Sequence, residues 1–590
     1  MPIDEIRLQT NVPATMRDGT VLRADVYYPS SSEPVPVIVM RHPYSKSRTP
    51  TLRDVDIVKV VQSGYILVFQ DVRGRFASDG SFEPSLHEEE DGTDTVRWAA
   101  QLPGSDGRVG MWGSSYGAET QWSAALGGPD ELLSLVSINP PSHSQFNGFL
   151  MRRGVHEFGS RLNWAHGSIA LEELRRANEG TDLKELVREY AVSQEKFDTQ
   201  EIYGLLPFSK IHEEEEGFLS LASRTFGEPA DADWRHVSRT HDRYGEIKPR
   251  AFIVGGWFDC FLGSTLSQYE GMRSAATAAG KPVPHLLIGP WSHRESGDRL
   301  GDLSFGPMAK AALPGQDEAL TGQIIRWFDA TLKGIGAPLE ALPPVRVFLM
   351  GTNRWLGFES FPPAEATTQS WFLGAGATLG TVPAALEEHV SYDYDPRDPA
   401  PTVGGPILMA PAFRVGPVAQ NELYDREDVV SFTSAPLADP LHVIGSVQAV
   451  LHAATSAVDT DFVVTLCDVY PDGRSILIAD GIVRVSERNS YTDDGVFRPG
   501  ARSLVEPDED LELRVDLLAT AHTFGTGHRI RVDVTSSNFP RWDVNLNTGA
   551  SFYDSDTSVV ARQTLKFGGL HKSRIELPVV PGATVAEASI

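Results

Sequence analysis

A serine lies between two glycines where the chain passes from a short apolar strand to a helix. Residues 108–117 read RVGMWGSSYG, and residues 118–126 follow with the pattern of a helix. A serine on a tight turn between strand and helix exposes its hydroxyl above the sheet, with helix amides close behind it. We therefore take Ser115 as a candidate nucleophile, and we expect Gly113 and Gly117 to be required because a Cβ would clash in so tight a turn. A plain turn rich in small residues is the alternative, because the Gly-x-Ser-x-Gly pattern alone is a weak signal.

A serine hydroxyl is a poor nucleophile at neutral pH, so it needs a base, and the base needs an orienting carboxylate. Asp259 and His293 lie downstream of Ser115, each just beyond a run that predicts a strand. The chain order Ser, Asp, His, with the last two on loops after strands, is that of an α/β-hydrolase sheet. Alone, Asp259 reads as a turn or capping residue and His293 as a surface or structural histidine. Together the three residues predict a catalytic triad.

Strands and helices alternate in the elements that must position these residues. Residues 11–28 predict a hairpin, followed by strands at 35–40 and 65–70, helices at 53–62 and 89–100, and the strand that leads into Ser115. The pattern later predicts strands at residues 250–254, 285–288 and 345–350, the last of this block, and a helix at 324–332. Such alternation predicts parallel βαβ units in an open α/β sheet.

Two other regions have a different pattern. Between about residues 144 and 244 the chain is helical, with amphipathic stretches at 171–176 and 183–190, which predicts a cap over the active site. The acidic run 213–216 is interpreted as a solvated face or loop rather than a metal site. Beyond residue 355, short β-rich runs separated by Gly, Pro, Asp and Asn are typical of a β-sandwich or jelly roll.

The chain has 590 residues, too many for one hydrophobic core, so several domains are expected. We predict the α/β fold class, with an α/β-hydrolase core in two parts, a helical cap insertion and a C-terminal jelly-roll β-sandwich. The core takes residues 1–143 and 245–354, the cap residues 144–244, and the sandwich residues 355–590.

Charge and composition restrict the partners and the compartment. The formal net charge of -27 repels phosphate backbones and argues against nucleic acid as a partner. No run approaches the roughly 18 apolar residues of a membrane span. Two cysteines far apart, Cys260 and Cys467, and no leader pattern in residues 1–10 predict a cytoplasmic protein. Exposed sheet edges in two of the domains would allow a homodimer.

Eight short motifs are spread along the chain. Five surround the candidate triad, at residues 41–44 (RHPY), 70–74 (QDVRG), 113–117 (GSSYG), 256–259 (GWFD) and 289–293 (GPWSH). Three lie in the C-terminal part, at residues 458–462 (VDTDF), 472–474 (DGR) and 536–540 (SSNFP). Together they resemble the bacterial cocaine esterase family, a branch of the X-prolyl dipeptidyl peptidase-like serine hydrolases. The resemblance implies an α/β-hydrolase core, a helical cap and a jelly-roll third domain.

The resemblance also implies a role for each site residue. Ser115 would be the nucleophile, His293 the general base and then acid, and Asp259 the group that holds the imidazole tautomer. The oxyanion hole would consist of the Tyr44 hydroxyl and the backbone N–H of Tyr116. Two donors aimed at a developing oxyanion typically lower the barrier by a few kcal/mol. For Tyr44, the alternative is a loop aromatic packed on the core.

The resemblance further implies an apolar substrate pocket. Four residues match its lining or lie near matching positions, namely Trp164, Phe261, Leu408 and Met409. Phe261 follows Asp259 by two residues in the same motif, whereas ordinary core packing would equally explain the other three.

Two departures from relatives bear on the substrate. Residues 45–53 are polar and basic where cocaine esterases present more apolar surface, and a cation there would favour an anionic or polar acyl group. The related α-amino acid ester hydrolases carry carboxylates just after the catalytic Asp, which pair with the substrate ammonium. Here Asp259 is followed by Cys260, Phe261 and Leu262, so that cluster is absent from the sequence.

These observations predict a serine acyl hydrolase for esters, or amides, of small apolar or aromatic acids. It would work through an acyl-enzyme and would need no metal and no cofactor. One alternative is an aminopeptidase or β-lactam acylase of the same superfamily. The other is a non-catalytic ligand-binding protein with a carbohydrate-binding sandwich.

Overall fold

The computed structural model describes most of the chain. The described residues are 5–48, 55–142, 151–178, 180, 182–211, 240–312, 319–336, 339–491, 498 and 500–588. The acidic run 213–216, residues 49–53 of the basic segment and the start of the helix expected at 53–62 lie outside them.

The N-terminal part supplies the first half of an α/β sheet. Its elements are β1 (Arg7–Thr15), β2 (Val21–Tyr28), β3 (Val35–His42), α1 (Ile57–Gln62), β4 (Ile66–Asp71), α2 (Glu88–Ala100), β5 (Ser105–Ser114), α3 (Tyr116–Leu126) and β6 (Leu132–Ile138). Along β3, Val37 and Val39 pack into the core on one face of the sheet, and Ile38 and Met40 into the core on the other. A strand covered on both faces reads as a continuous apolar run, which is why the sequence located it.

The cap follows β6 and is mainly helical, as predicted. Its elements are β7 (Met151–Arg152), β8 (Val155–His156), α4 (Phe158–Trp164), α5 (Leu171–Ala177), α6 (Leu183–Asp198) and α7 (Thr240–Arg243). A π-helical turn, Ala165–Ala170, joins α4 to α5. The short antiparallel pair of β7 and β8 at its start was not expected from the sequence.

The second part of the core completes the sheet. Its elements are β9 (Arg250–Phe258), α8 (Leu262–Ala278), β10 (His285–Ser292), β11 (Arg299–Leu300), β12 (Leu303–Ser304), α9 (Leu320–Phe328), β13 (Val345–Leu349) and β14 (Arg354–Phe358). The sheet has ten strands in the order β1-β2-β4-β3-β5-β6-β9-β10-β13-β14. Strands from β4 to β13 in that order are parallel, and the outer strands are antiparallel. The expectation that residues 345–350 form the last strand was wrong, because β14 turns back and pairs with β13.

The C-terminal part is a β-sandwich with one short helix at its end. Its elements are β15 (Thr367–Gly374), β16 (Thr378–Gly380), β17 (Glu388–Tyr394), β18 (Val430–Ser434), β19 (Leu441–Thr455), β20 (Asp461–Val469), β21 (Ser475–Arg484), β22 (Leu511–Phe524), β23 (Arg529–Thr535), β24 (Ala561–Phe567), β25 (Arg574–Val579) and α10 (Gly582–Glu587). The predicted fold class, an α/β-hydrolase core with a helical cap and a C-terminal β-sandwich, is confirmed. In the part of the chain that the structure describes, no helix is both long and apolar enough to cross a membrane.

The core and the sandwich share one hydrophobic cluster. Ile444, Leu518 and Ala521 of the sandwich pack with side chains of β9, β10 and β13. Beyond β13, the Met350 N–H donates to the Ala521 carbonyl at 3.0 Å, and the Thr523 N–H donates to the Met350 carbonyl at 2.9 Å. The two regions are therefore joined by both backbone pairing and apolar burial.

Buried charges join the cap to the sandwich. Arg484 pairs with Asp461 at 2.8 Å and with Asp543 at 3.1 Å, and both carboxylates are almost fully buried. Asp543 also accepts a hydrogen bond of 2.8 Å from the backbone N–H of His156 in β8. Removing the Arg484 guanidinium would leave two buried carboxylates without their cation. Uncompensated buried charges of this kind strongly lower the free energy of unfolding.

We expect Arg484→Met to lower the free energy of unfolding by about 3–5 kcal/mol. Because burial raises the pKa of Asp461 to about 6, chemical denaturation should be followed near pH ~8, where this carboxylate is ionised. Arg562→Met is the matched control, since the ion pair of Arg562 with Asp393 is more than half exposed and should contribute at most about 1 kcal/mol. Equal losses in the two variants would contradict the role assigned to burial.

Candidate active site

Four strands of the first sheet end at one edge, and a predicted site residue follows each. Tyr44 follows β3, Ser115 follows β5, Asp259 follows β9 and His293 follows β10. The strands β3 and β5 are parallel neighbours, and β4 lies on the other side of β3. Where the strand order reverses in this way, an open parallel sheet leaves a crevice at its carboxyl ends. The topology therefore brings all four side chains to the same crevice.

Ser115 occupies a strained turn between β5 and α3. Its φ of 58° and ψ of -127° are rare for a residue with a side chain. A Cβ on Gly113 would lie 2.7 Å from the Gly117 carbonyl oxygen, so glycine is required at 113. The expectation that glycine is also required at 117 was wrong. A Cβ on Gly117 would lie 3.4 Å from the Arg41 carbonyl oxygen, which is an ordinary contact.

A continuous chain of hydrogen bonds joins the three residues predicted to form the triad. His293 Nε2 lies 3.1 Å from Ser115 Oγ, and His293 Nδ1 lies 3.0 Å from Asp259 Oδ2. Asp259 is fully buried, and its other oxygen accepts a bond of 2.6 Å from the Phe261 N–H. The carboxylate thus fixes the imidazole with one nitrogen toward the serine, the arrangement that a general base requires.

Tyr44 faces the serine from the end of β3. Burial raises the pKa of its hydroxyl to about 12, against hydrogen bonds with Trp164 and Ser115 that lower it. The hydroxyl accepts a bond of 2.9 Å from the Trp164 indole N–H of the cap. Tyr44 therefore stays protonated at neutral pH and has a proton to donate beside Ser115.

His42 contacts both the backbone and the ring of Tyr44. Its Nδ1 accepts the Tyr44 backbone N–H at 3.1 Å, and the two rings stack with centroids 5.8 Å apart. Burial lowers the pKa of His42 to about 4, so the ring is neutral and can act as this acceptor.

Tyr116 places its backbone and its side chain in different environments. As the first residue of α3, its N–H has no acceptor within the helix, and it follows Ser115 directly. Its hydroxyl donates to Glu88 at 3.0 Å and accepts from the Ser85 N–H at 2.8 Å. Glu88 in turn pairs with the buried Arg41 at 2.8 Å. This buried network anchors the start of α3 and therefore the amide predicted for the oxyanion hole.

The structure brings three of the four predicted pocket residues together. Phe261 packs edge-on against the His293 ring, with centroids 4.8 Å apart. Leu408 from the sandwich region and Trp164 from the cap pack against Phe261. Met409 belongs instead to the apolar cluster between cap and sandwich, with its methyl group close to Gly159. That position fits the core-packing alternative considered for Met409.

Lys46, in the described start of the basic segment, does not present a free cation to substrate. Lys46 is buried, and its ammonium lies 2.9 Å from the equally buried Asp71. Asp71 also accepts the Lys46 backbone N–H at 2.7 Å. This pair anchors the loop after Tyr44, so the expected preference for an anionic acyl group gains no support from Lys46.

Arg75 is a site-supporting residue that the sequence analysis missed. It is 1% exposed, and its Nε donates to the Pro43 carbonyl at 3.0 Å, next to Tyr44. Its Nη1 donates to the Ile169 carbonyl at 3.2 Å, in the π-helical turn that follows Trp164. One guanidinium therefore holds both the loop of Tyr44 and the cap segment next to Trp164, which contacts Tyr44. The only sequence signal was a second arginine just after the quoted motif at residues 70–74.

One group of side chains has the composition of a metal site. Among the described residues, Asp259, Cys260 and His293 offer donor atoms that all lie within 4.8 Å of one another. Acyl transfer by a Ser-His-Asp triad does not in general call for a metal, because an imidazole supplies the base and oxyanion donors supply the polarisation.

A strained serine, a histidine and aspartate in hydrogen-bonded series, and a facing tyrosine define a serine hydrolase on the α/β-hydrolase fold. The model of the X-Pro dipeptidyl-peptidase (S15) family matches residues 18–295. The model of the X-Pro dipeptidyl-peptidase C-terminal non-catalytic domain matches residues 338–576. Cocaine esterase of Rhodococcus sp. (strain MB1 Bresler) is 32% identical over 603 residues, covering 97% of this chain and 98% of that protein. The chain belongs to the cocaine esterase family of S15-type serine hydrolases.

Two solved structures share the whole architecture. An aminopeptidase of the marine sediment archaeon Thaumarchaeota archaeon superposes with a TM-score of 0.81, and an α-amino acid ester hydrolase with a TM-score of 0.80. Each is 24% identical, and each match covers 98% of this chain and 97% of the other. These matches concern the fold.

The buried state of His42 predicts a pH dependence of stability. Between its folded pKa of about 4 and the ordinary value of 6.5, the unfolded chain binds this proton and the folded chain does not. Stability should therefore rise with pH across this window. We expect His42→Asn to flatten the rise by up to about 3 kcal/mol, measured by urea unfolding at pH values across the window. His389→Asn, on exposed strand β17, is the control, and an identical slope in all three proteins would refute the assignment.

The contacts of Arg75 predict a loss of turnover when it is replaced. We expect Arg75→Met to lower kcat roughly 10- to 100-fold on an activated ester, with a smaller change in KM, because Tyr44 loses its fixed position. Arg75→Lys, which can reach one of the carbonyls, should restore part of the rate. Arg73→Met is the control, since Arg73 in the same loop pairs with Asp91 and Asp18 rather than with the cap. A kcat unchanged in Arg75→Met would count against the positioning role.

Proposed function

We propose that this serine hydrolase cleaves carboxylic esters of small apolar or aromatic acids through an acyl-enzyme. The observation that carries the proposal is the hydrogen-bonded series Asp259, His293, Ser115, with the protonated Tyr44 hydroxyl beside the serine. Each group needed for acyl transfer is then present: a nucleophile, a base held in the right tautomer, and an oxyanion donor.

The steps follow from these positions. His293 Nε2 takes the proton from Ser115 as the serine oxygen attacks the ester carbonyl. The Tyr44 hydroxyl and the Tyr116 N–H then donate to the developing oxyanion. As the tetrahedral intermediate collapses, His293 returns the proton to the departing alcohol. A water molecule repeats the sequence on the acyl-enzyme and releases the acid. Asp259 stabilises the imidazolium formed in each half-reaction.

The lining of the crevice supports the choice of acyl group. Trp164, Phe261 and Leu408 belong to one apolar cluster, and Phe261 of this cluster contacts the His293 ring. Phe261 and Leu408 are almost fully buried. An apolar wall selects apolar groups by removing their surface from water. The relative that is 32% identical is named an esterase, which supports esters as the substrate class.

The alternative of an aminopeptidase or β-lactam acylase requires a carboxylate for the substrate amine. The residues that follow Asp259 supply a thiol and two apolar side chains instead, so we place esters without an amino group first. Comparing turnover of matched acyl and α-aminoacyl esters separates the two. The ligand-binding alternative predicts that a fluorophosphonate fails to label the protein at all.

The decisive experiment compares Ser115 and the two tyrosines on a p-nitrophenyl ester. We expect Ser115→Ala to lower kcat by at least roughly 10⁴-fold and to abolish fluorophosphonate labelling. Tyr44→Phe should cost about 10²–10³-fold, since one oxyanion donor is lost.

Tyr116→Phe is the matched control for Tyr44→Phe. It keeps the backbone N–H and removes the hydroxyl that binds Glu88 and Ser85. Since the amide loses only part of its indirect support, the variant should stay within about 10-fold of the parent. A Ser115→Ala protein that retains the parent rate would remove the assignment of the nucleophile. Equal losses of rate in Tyr44→Phe and Tyr116→Phe would contradict the assignment of Tyr44 as an oxyanion donor.

A further inference from the structure

Cys260 is a thiol built into the active site with no part in the proposed reaction. It follows Asp259 directly, is 6% exposed, and packs against Phe261, Leu408 and Trp164. Its sulfur, a carboxylate oxygen of Asp259 and a ring nitrogen of His293 lie within 4.8 Å of one another.

These three donor atoms form a ligand set that prefers some metal cations over others. One sulfur, one nitrogen and one oxygen is a combination that zinc accepts in proteins, with a fourth position left open. Tetrahedral bonds of this kind place the ligand atoms about 3.3–3.8 Å apart, so a side-chain movement of about 1 Å would bring the set into range. The sulfur favours thiophilic cations and disfavours Mg²⁺ and Ca²⁺, which take oxygen ligands.

We infer that Zn²⁺ or Cd²⁺ binds to Asp259, Cys260 and His293 and thereby switches the hydrolase off. On binding, the Cys260 thiol releases its proton to solvent and its sulfur forms a bond to the cation; no electron is transferred. The cation also bonds to the Asp259 oxygen and to Nδ1 of His293, which faces that oxygen. The proton of Nδ1 moves to Nε2, so Nε2 no longer has a free lone pair. His293 can then no longer take the proton of Ser115. The loss of turnover rests on the proposed function, whereas the binding does not.

The second cysteine provides a matched control. Cys467 is also buried, but it lies on β20 in the sandwich, and its sulfur donates to Asp533 at 3.6 Å. A cation that binds any buried thiol would therefore bind at both cysteines. A cation that also needs Asp259 and His293 as ligands would bind only at Cys260.

The test titrates the full chain, freed of metal by a chelator, with Cd²⁺. Two signals are followed: the ultraviolet absorption of the cadmium–thiolate bond and hydrolysis of a p-nitrophenyl ester relative to each protein's own metal-free rate. We expect one Cd²⁺ per chain to produce the absorption and to lower the rate at least 10-fold. EDTA should restore the rate, and Mg²⁺ should have no effect. Zn²⁺ should inhibit in the same way.

The variants decide whether the site is the one inferred. Cys260→Ser and Cys260→Ala should each lose the absorption and weaken inhibition at least 10-fold, while Cys467→Ser should behave as the parent. Ser115→Ala should keep the absorption, since the nucleophile is not a ligand. Inhibition that persists unchanged in both Cys260 variants, or absorption that disappears in Cys467→Ser, would overturn the inference. Absorption that depends on Cys260 in a protein without esterase activity would instead refute the proposed function and leave the metal site standing.

Discussion

The turn at Ser115 is the constraint on which the rest of the site depends. A residue with a side chain adopts its φ of 58° only at a cost of about 1–3 kcal/mol, and β5 and α3 hold the chain rigidly on either side. Because the turn ends a strand in the middle of a parallel sheet, the hydroxyl emerges at the edge where β3, β9 and β10 also end. The other three side chains need only follow their own strands to meet it.

The crevice is closed by three regions that are distant in sequence. The core supplies Tyr44 and the proposed triad, the cap supplies Trp164, and the sandwich region supplies Leu408. The bond from the Trp164 indole to the Tyr44 hydroxyl joins cap and core directly at the proposed oxyanion hole. Arg75 fixes the same junction a few ångströms away through backbone carbonyls of both regions. Cap position and catalytic geometry are therefore coupled by two separate sets of hydrogen bonds.

Much of this arrangement was predictable because burial leaves a local pattern. The fully buried run in β3 and the helical spacing of α2 are consequences of which faces meet the core, and they can be read along the chain. The placement of Asp259 and His293 after strands followed in the same way. Strand β14 was not predicted from the sequence. It is an edge strand of only five residues, and two of them are an arginine and a glycine.

Contacts between separate elements leave no such pattern. Leu408 and Met409 are neighbours in an irregular loop, and only the packing of cap against sandwich decides which of them lies near His293. Arg75 meets Ile169 across 94 residues of chain, and a buried arginine and an exposed one look alike in a sequence. Composition also gave no indication that Gly117 faces an ordinary contact while Gly113 does not.

The hydrophobic cluster shared by core and sandwich has a consequence for how such a chain can be divided. A catalytic portion cut off after β14 would leave the outer side of β9 and β13 without the sandwich residues that cover it, and Met350 without its backbone partners. The C-terminal region thus forms part of the packed structure of the catalytic unit and is not an independent domain that can be removed. A shortened or recombined version of this chain must therefore preserve the contacts between core and sandwich.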